Sequence, residues 1–514
     1  METKQNENIS PDVKNEDKEN RFKGIKTSRW VRFALASLAV IAFAIWLGNY
    51  TVLLLIVLFF DVYISRFIPW GFWRTSKNSV FRKTMEWVDA ILYALVAVYL
   101  INTFFFQNYK IPSSSLEKSL LVGDYLFVSK LSFGPRVPNT PLSFPLAQHT
   151  LPVINTKSYI EWPQWPYHRL KGTGKVERND IVVFNFPAGD TVAILAQNPD
   201  YYTNCFNEGK RLLSSGIPGF DNIEQTPEFA ELCFEEGRKI VNRDKARFGD
   251  IVYRPVDRRE NYVKRCIGMP GDTLSMRNNL VYINGKELKN PKELQQNYLV
   301  VTNGTLFNEQ NYRDLNISVE DRQLLNRDGN PTGLFEYVGI KPNANGTYNP
   351  VYEFPLTQES LANIKKYNFV TEVIPEPGIL GGDVYPIGFR PQWTRSDYGP
   401  IWIPAKGSTL KLTTDILPIY ERIIRNYEGN KLQVKDSVIY INDKPADSYT
   451  FKMDYYWMMG DNRDKSADSR YWGFVPEDHV VGKPLFVWLS IDKDRSLFDG
   501  RIRFNRLFKR IGKD

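Results

Sequence analysis

Three consecutive serines, Ser113, Ser114 and Ser115, follow Pro112 in a single turn, and far downstream Lys264 sits in Tyr262-Val263-Lys264-Arg265-Cys266-Ile267-Gly268-Met269-Pro270-Gly271-Asp272. A serine hydroxyl is a weak nucleophile until a base takes its proton. Lysine can do so only when neutral, and burial among apolar groups disfavours the ammonium. In a strand through Tyr262–Ile267, alternation puts Tyr262, Lys264 and Cys266 on one face and Arg265 on the other, which gives Lys264 dry neighbours. The serine turn can aim backbone N–H groups and a hydroxyl at one point, as an oxyanion requires. Alone, such a lysine reads as a solvated strand charge and such serines as a flexible loop. Together they point to a hydrolase with lysine as its base.

A third segment, Met459-Gly460-Asp461-Asn462-Arg463-Asp464-Lys465-Ser466-Ala467-Asp468-Ser469-Arg470-Tyr471-Trp472-Gly473-Phe474-Val475-Pro476, is dense enough in Asp, Asn, Arg and Ser to form a self-satisfied polar network beside a site. It does not read as a calcium loop, because Arg463 and Lys465 occupy two of the three alternate positions that begin at Asp461. Gly172-Thr173-Gly174-Lys175 lacks the earlier glycine and the final Ser/Thr of a phosphate loop. Three histidines, His149, His168 and His479, supply a His-based triad or zinc centre poorly. Cys205, Cys233 and Cys266 show no metal spacing, and whether Cys205 and Cys233 pair depends on the compartment. No metal and no cofactor is expected.

The elements that must hold these residues begin at a membrane. Residues 1–29 are polar and charged and read as a disordered cytoplasmic tail. Apolar stretches at about 30–47, 50–66 and 88–106 predict three transmembrane helices, the first two as a tight hairpin. Lys23, Lys26, Arg29 and Arg32 flank the first, and Arg66, Arg74, Lys77, Arg82 and Lys83 lie between the second and third. The positive-inside rule keeps both sets cytoplasmic, so everything after about Gln107 lies outside. A retained anchor fits better than a cleaved signal peptide, since a second apolar segment follows at once with no convincing cleavage site. The net charge of +8 comes from these flanks and from Arg501-Ile502-Arg503-Phe504-Asn505-Arg506. No basic stripe interleaved with aromatics marks a nucleic-acid binder.

Beyond Phe106, Gly and Pro punctuate short β-rich runs: Tyr125–Val128, Ile181–Phe184, Val281–Asn284 and Val438–Ile441. Helices are expected around Thr226–Ile240, Thr357–Tyr367 and Leu417–Asn426. Asp180-Ile181-Val182 is echoed by Asp250-Ile251-Val252, and Tyr282-Ile283-Asn284-Gly285-Lys286 by Tyr440-Ile441-Asn442-Asp443-Lys444, the latter pair reading as two hairpins. The class is mainly β with large insertions.

The serine turn, the lysine strand and the third segment, in this order, resemble the bacterial type I signal peptidases. The similarity covers roughly residues 88–135, 176–187, 247–286 and 452–495. It implies a signal-peptidase-type antiparallel β core, in two sheets, carrying an inserted second domain. The core would occupy 107–187, 247–286 and 451–514, with insertions at 188–246 and 287–450. Carried over by position, the resemblance makes Ser115 the nucleophile and Lys264 the general base. Ser113 and the Ser115 N–H would form the oxyanion hole, Ser466 would orient the lysine, and Asp468 and Arg470 would brace the site. Ile111, Leu116, Leu120 and Val263 would line shallow pockets for small residues such as Ala at one and three positions before the cut. The implied activity is release of signal peptides from secretory pre-proteins at the bacterial inner membrane, with the bilayer as the other partner and envelope components for the insertions. A catalytically silent envelope-binding protein on the same fold is the alternative. The chain departs from the family turn at Ser114 (for Gly), Leu116 (for Met) and Lys118-Ser119 (for Pro-Thr), and from its third segment at Lys465 (for Asn).

Overall fold

The computed structural model describes residues 24–216, 227–327, 329, 331–388, 393–493, 495–496 and 500–512. They fall into two compact units, residues 1–101 and 102–514.

In the first unit, α1 (Thr27–Leu47) ends on Gly48 at φ 68°, a left-handed cap that suits glycine. A shorter helical segment, Tyr50–Ser65, passes from a tight turn through α-helix to a wide π-type turn. The second long helix, α2 (Ser79–Phe104), starts on Asn78, whose side chain accepts from Val80 N and Phe81 N. Among the described residues, α1 and α2 are the two helices that are long and apolar enough to cross a membrane, where three spans were expected; Tyr50–Ser65 is a shorter apolar helical segment. Asp61 explains the short middle segment. Its carboxylate accepts from Ser65 Oγ, Phe67 N, Ile68 N and Trp70 Nε1, and this cluster of donors turns the chain out of the helix. The helix of α2 begins nine residues before the expected 88 and stops at Phe104. Of the expected disordered tail, residues 1–23 lie outside the described residues, and Thr27–Arg29 already belong to α1.

The second unit is built on an eight-stranded sheet. Seven strands lie in the order β1 (Phe106–Lys110), β2 (Asp124–Ser129), β7 (Val480–Ser490), β3 (Ile181–Asn185), β4 (Asn261–Gly268), β5 (Tyr455–Met459) and β6 (Val475–Pro476), and Lys509–Arg510 pairs with β7. The named strand pairs described are all antiparallel. Strand β3 is buried at every position, as a strand covered on both faces must be. One face of the sheet buries Val182, Phe184, Cys266 and Met458, and the other Val183, Ile181, Leu126 and Leu116. The two echoed hairpins are real turns. Ile283 pairs with Lys286 around Asn284 and Gly285, and Ile441 with Lys444 around Asn442 and Asp443, all four turn residues at positive φ.

The two regions expected as insertions differ: Tyr398–Trp402 of the second pairs with Thr273–Arg277 of the expected core, and both share one apolar core, so 287–450 is not a separate body. Between β3 and β4, helices α3 (Tyr201–Gly216) and α4 (Pro227–Arg243) form a close hairpin, and only the second carries a helical signal in its sequence. A Cβ at Gly209 would lie 1.7 Å from Cys233 O, and one at Gly237 1.7 Å from Cys205 O, so two glycines permit the contact. Cys205 and Cys233 are both buried free thiols. Between β4 and β5, strands Gln296–Thr302, Gln323–Leu324, Val351–Leu356 and Val370–Pro375 make a separate four-stranded sheet. Its alternate residues feed two cores, Tyr298 and Val300 on one face, Leu299 and Val301 on the other.

Candidate active site

The serine turn is pinned at both ends to the edge of the large sheet. Ile111 N donates to Asp124 O at 2.8 Å and Gly123 N to Ile111 O at 3.0 Å, which closes the intervening residues into a loop. Within it, Ser113 is extended, and Ser114–Leu116 form one tight helical turn in which Glu117 N donates to Ser114 O. Leu116 and Leu120 are buried in the sheet core with Ile111, and half-buried Val263 packs against them. The turn is thus fastened by backbone bonds at both ends and by buried leucines within it, and Ser115 is 8% exposed.

Lys264 lies on β4, a central strand, opposite Val182 of β3. Its side chain is 3% exposed, and its Nζ donates to Ser115 Oγ at 2.5 Å. The Tyr262 ring centroid is 6.0 Å from Nζ, and Tyr262 and Cys266 join one apolar cluster while Val263 joins the opposite one, as strand alternation requires. Burial lowers the Lys264 pKa to about 8; the carboxylates of Asp468 and Asp461 oppose that shift, and Arg470 adds to it. Ser113 Oγ is 3.4 Å from Ser115 Oγ, so the two hydroxyls share one side of the turn.

Ser466 is buried, and its hydroxyl donates to Ala467 O at 3.5 Å. A Cβ on Gly460 would lie 2.2 Å from Ser466 Oγ and 2.6 Å from Ser115 O, so both serines press on this one glycine. Asp468 accepts from Arg470 Nε at 2.9 Å and Nη2 at 2.8 Å, and from Gly460 N at 3.1 Å. Neither side chain of this ion pair is exposed. Burial raises the Asp468 carboxyl, but Arg470 and the N–H of Gly460 together hold it below its usual range. Arg470 also donates to the carbonyls of Arg463 and Arg395. The pair therefore fastens the segment that carries Gly460 and Ser466.

Three further residues shape the site without having been singled out in the sequence. Asp461 receives Arg265 Nε at 2.8 Å, Arg265 Nη2 at 2.7 Å and Ser119 Oγ at 2.6 Å. Asn462 donates its N–H to Ser115 O at 3.1 Å and its side-chain amide to Ser114 O at 3.2 Å. Arg395 brings its Nε within 3.0 Å of Asp464 and its Nη2 within 3.1 Å of Glu376. Asp461 and Asn462 lie inside the recognised polar segment, so composition pointed to them but not to their partners. Arg395 carries no local signal. Among the described residues, no group of three or more His, Cys, Asp or Glu side chains is placed to hold a metal.

A hydroxyl beside a buried amine, within an antiparallel sheet, is the equipment of a serine-type hydrolase. A family model described as "Signal peptidase, peptidase S26" matches residues 84–219, 220–327 and 448–489, more than half of the chain. The chain belongs to this family and is a serine peptidase. It is 23% identical over 415 residues to a signal peptidase I of Buchnera aphidicola subsp. Acyrthosiphon pisum, covering 80% of this chain and 77% of that protein. Against signal peptidase I of Buchnera aphidicola subsp. Baizongia pistaciae it is 21% identical over 443 residues, 84% of this chain and 86% of the other. A 56-residue stretch is 48% identical to signal peptidase I of Haemophilus influenzae, 11% of this chain and 16% of that one.

Proposed function

We propose that this chain is a membrane-anchored endopeptidase that removes signal peptides from exported pre-proteins with a Ser115–Lys264 dyad. The observation that carries this reading is the 2.5 Å hydrogen bond between Lys264 Nζ and Ser115 Oγ, both side chains being buried. Neutral Lys264 takes the Ser115 proton as Oγ bonds to the scissile carbonyl carbon. The Ser113 hydroxyl and the Ser115 N–H stabilise the oxyanion. The C–N bond then breaks, and Lys264 passes the proton to the leaving amine. Lys264 next deprotonates a water that attacks the acyl-enzyme, and the proton returns to Ser115 Oγ as the new acid leaves. Ser466 orients the lysine, and Asp468 and Arg470 brace the segment that holds it.

An extended peptide laid along the site presents alternate side chains to one wall. Half-buried Val263 faces this wall, and Ile111, Leu116 and Leu120, buried behind it, hold it close-packed, which favours small residues at one and three positions before the cut. α1 and α2 anchor the chain in the bacterial inner membrane as a multi-pass protein. Basic residues before α1 and between residues 66 and 83 face the cytoplasm, and the catalytic unit faces outward. That side assignment requires Tyr50–Ser65 to cross as well, at about 24 Å of rise against a hydrocarbon core of about 30 Å.

The test is incubation of detergent-solubilised protein with a pre-protein bearing an Ala-x-Ala site, with the new N-terminus mapped. Cleavage directly after the second Ala by wild type, and its absence in folded Ser115→Ala and Lys264→Ala, supports the dyad. Full activity in either variant overturns it. No turnover by folded wild type favours the silent binding protein.

A further inference from the structure

Two of the residues at which this chain departs from the resembled motif, Lys118 and Lys465, reach the same short segment of the insertion. Lys118 Nζ donates to Asn316 O at 2.5 Å, and Lys465 Nζ to Asp321 Oδ1 at 2.8 Å. Lys118 follows Ser115 by three residues, and Lys465 precedes Ser466 by one. We propose that segment 316–321, which leads into the Gln323–Leu324 strand of the inserted sheet, is a positioning latch that holds the nucleophile turn against the Gly460–Ser466 loop. The proposal rests on Ser115 and Lys264 as the reacting pair.

The segment is built to be a fixed anchor. Leu315 and Ile317 are buried in one core of the inserted sheet, so the Asn316 carbonyl between them is held in place. Asp321 is itself buried, and Ser318 Oγ donates to its other oxygen at 2.6 Å. A third lysine, Lys493, pairs with the adjacent Glu320. On the other side, Lys118 holds φ at 70°, a conformation that a side chain with a Cβ adopts at a cost.

The inserted sheet is also joined to the active-site loop by its backbone. Gln295, one residue before its first strand, donates its N–H to Asp461 O at 2.9 Å and accepts Arg463 N at 2.9 Å. Asn297 N donates to Asp464 Oδ2 at 2.8 Å. Asn462, flanked by those bonds, donates to Ser115 O. The insertion therefore reaches the Ser115 backbone by two routes, through Asn462 and through Lys118. Small displacements of a reacting group are costly, so a latch at this distance acts on rate more than on substrate affinity.

The full-length protein in detergent is compared with Lys118→Met, Asp321→Asn and Lys118→Arg. Three readouts are taken: kcat and KM on the pre-protein, the melting midpoint, and hydrogen exchange of the Ser113–Ser119 amides. The expected result is a fall in kcat of about tenfold with KM within about twofold in Lys118→Met and Asp321→Asn. Exchange in the turn should quicken about tenfold while the midpoint holds, and Lys118→Arg should recover most of both losses. Unchanged kcat and unchanged turn exchange overturn the latch. So does a loss that tracks a lowered midpoint with faster exchange throughout the sheet. Because exchange is read without turnover, it decides the latch even if Ser115→Ala proves that the reacting pair lies elsewhere.

Discussion

Lys264 and Arg265 are neighbours on one strand, yet the first meets a hydroxyl at 2.5 Å and the second a carboxylate at 2.7 Å. The difference decides what each can do. A buried cation with a formal counter-ion in bidentate contact keeps its charge. A buried ammonium whose nearest partner is neutral sheds its proton more readily, and the Lys264 pKa falls to about 8. Strand alternation separates a structural cation from a chemical one across a single peptide bond.

The first consequence is a pH–rate profile. If neutral Lys264 is the base, kcat/KM rises with pH and levels off above about 8. Below that value it should fall about tenfold per pH unit as the ammonium refills. A profile measured on the pre-protein substrate that is flat between about pH 6 and 9 would remove Lys264 from the role.

Stability should show the opposite face of the same shift. An unfolded Lys264 titrates near 10.5, so between about 8 and 10.5 the unfolded chain binds the extra proton. Folding stability therefore rises across that window, and the full penalty, about 3 kcal/mol, applies below it. Lys264→Met keeps the apolar stem and removes the charge. It should be inactive and at least as stable as wild type at about pH 7 in a denaturant titration, with the advantage shrinking from about pH 8 and gone above about 10.5.

Gly460 faces both Ser115 and Ser466, with room for no side chain. Gly460→Ala forces a Cβ to within 2.6 Å of the Ser115 carbonyl oxygen and 2.2 Å of Ser466 Oγ unless one of them moves. An ångström of displacement at a nucleophile costs about a hundredfold in rate. Gly460→Ala should lose about that much kcat while retaining the fold by circular dichroism.

Much of this arrangement was legible in the sequence because it is local. The alternation Tyr262, Lys264, Cys266 and the Asn-Gly and Asn-Asp hairpins depend on neighbours a few residues away, and each appears where the pattern put it. The partners of Arg265 and Lys118 were not legible, because Asp461 and Asn316 lie nearly two hundred residues off and only the folded sheet brings them near. The middle apolar segment is helical where expected, Tyr50–Ser65, but it is shorter than the two long helices. The Asp61 carboxylate gathers donors from Ser65, Phe67, Ile68 and Trp70, which turns the chain just past Ser65.

Leu120 and Val263 belong to one apolar cluster but differ in access, Leu120 being 1% exposed and Val263 half-buried. Leu120→Ala should cost about 2–5 kcal/mol of stability and leave the preference for small residues unchanged. Val263→Leu should instead alter that preference, reducing kcat/KM for substrates with residues larger than Ala at the cut. Relative kcat/KM across a set of such substrates separates the two outcomes.

Asp461 joins stability to chemistry most directly. Its two oxygens take Arg265 and Ser119, and its charge also raises the pKa of Lys264. Asp461→Asn leaves the Arg265 guanidinium buried without this counter-ion, a loss of about 3–5 kcal/mol. The same change withdraws a negative charge that favoured the Lys264 ammonium, so the lysine becomes neutral at a lower pH. The acid limb of the rate profile should therefore move to lower pH in whatever fraction of the variant stays folded, even as its denaturation midpoint drops. A limb that moves to higher pH would mean that Asp461 does not act on Lys264 through its charge.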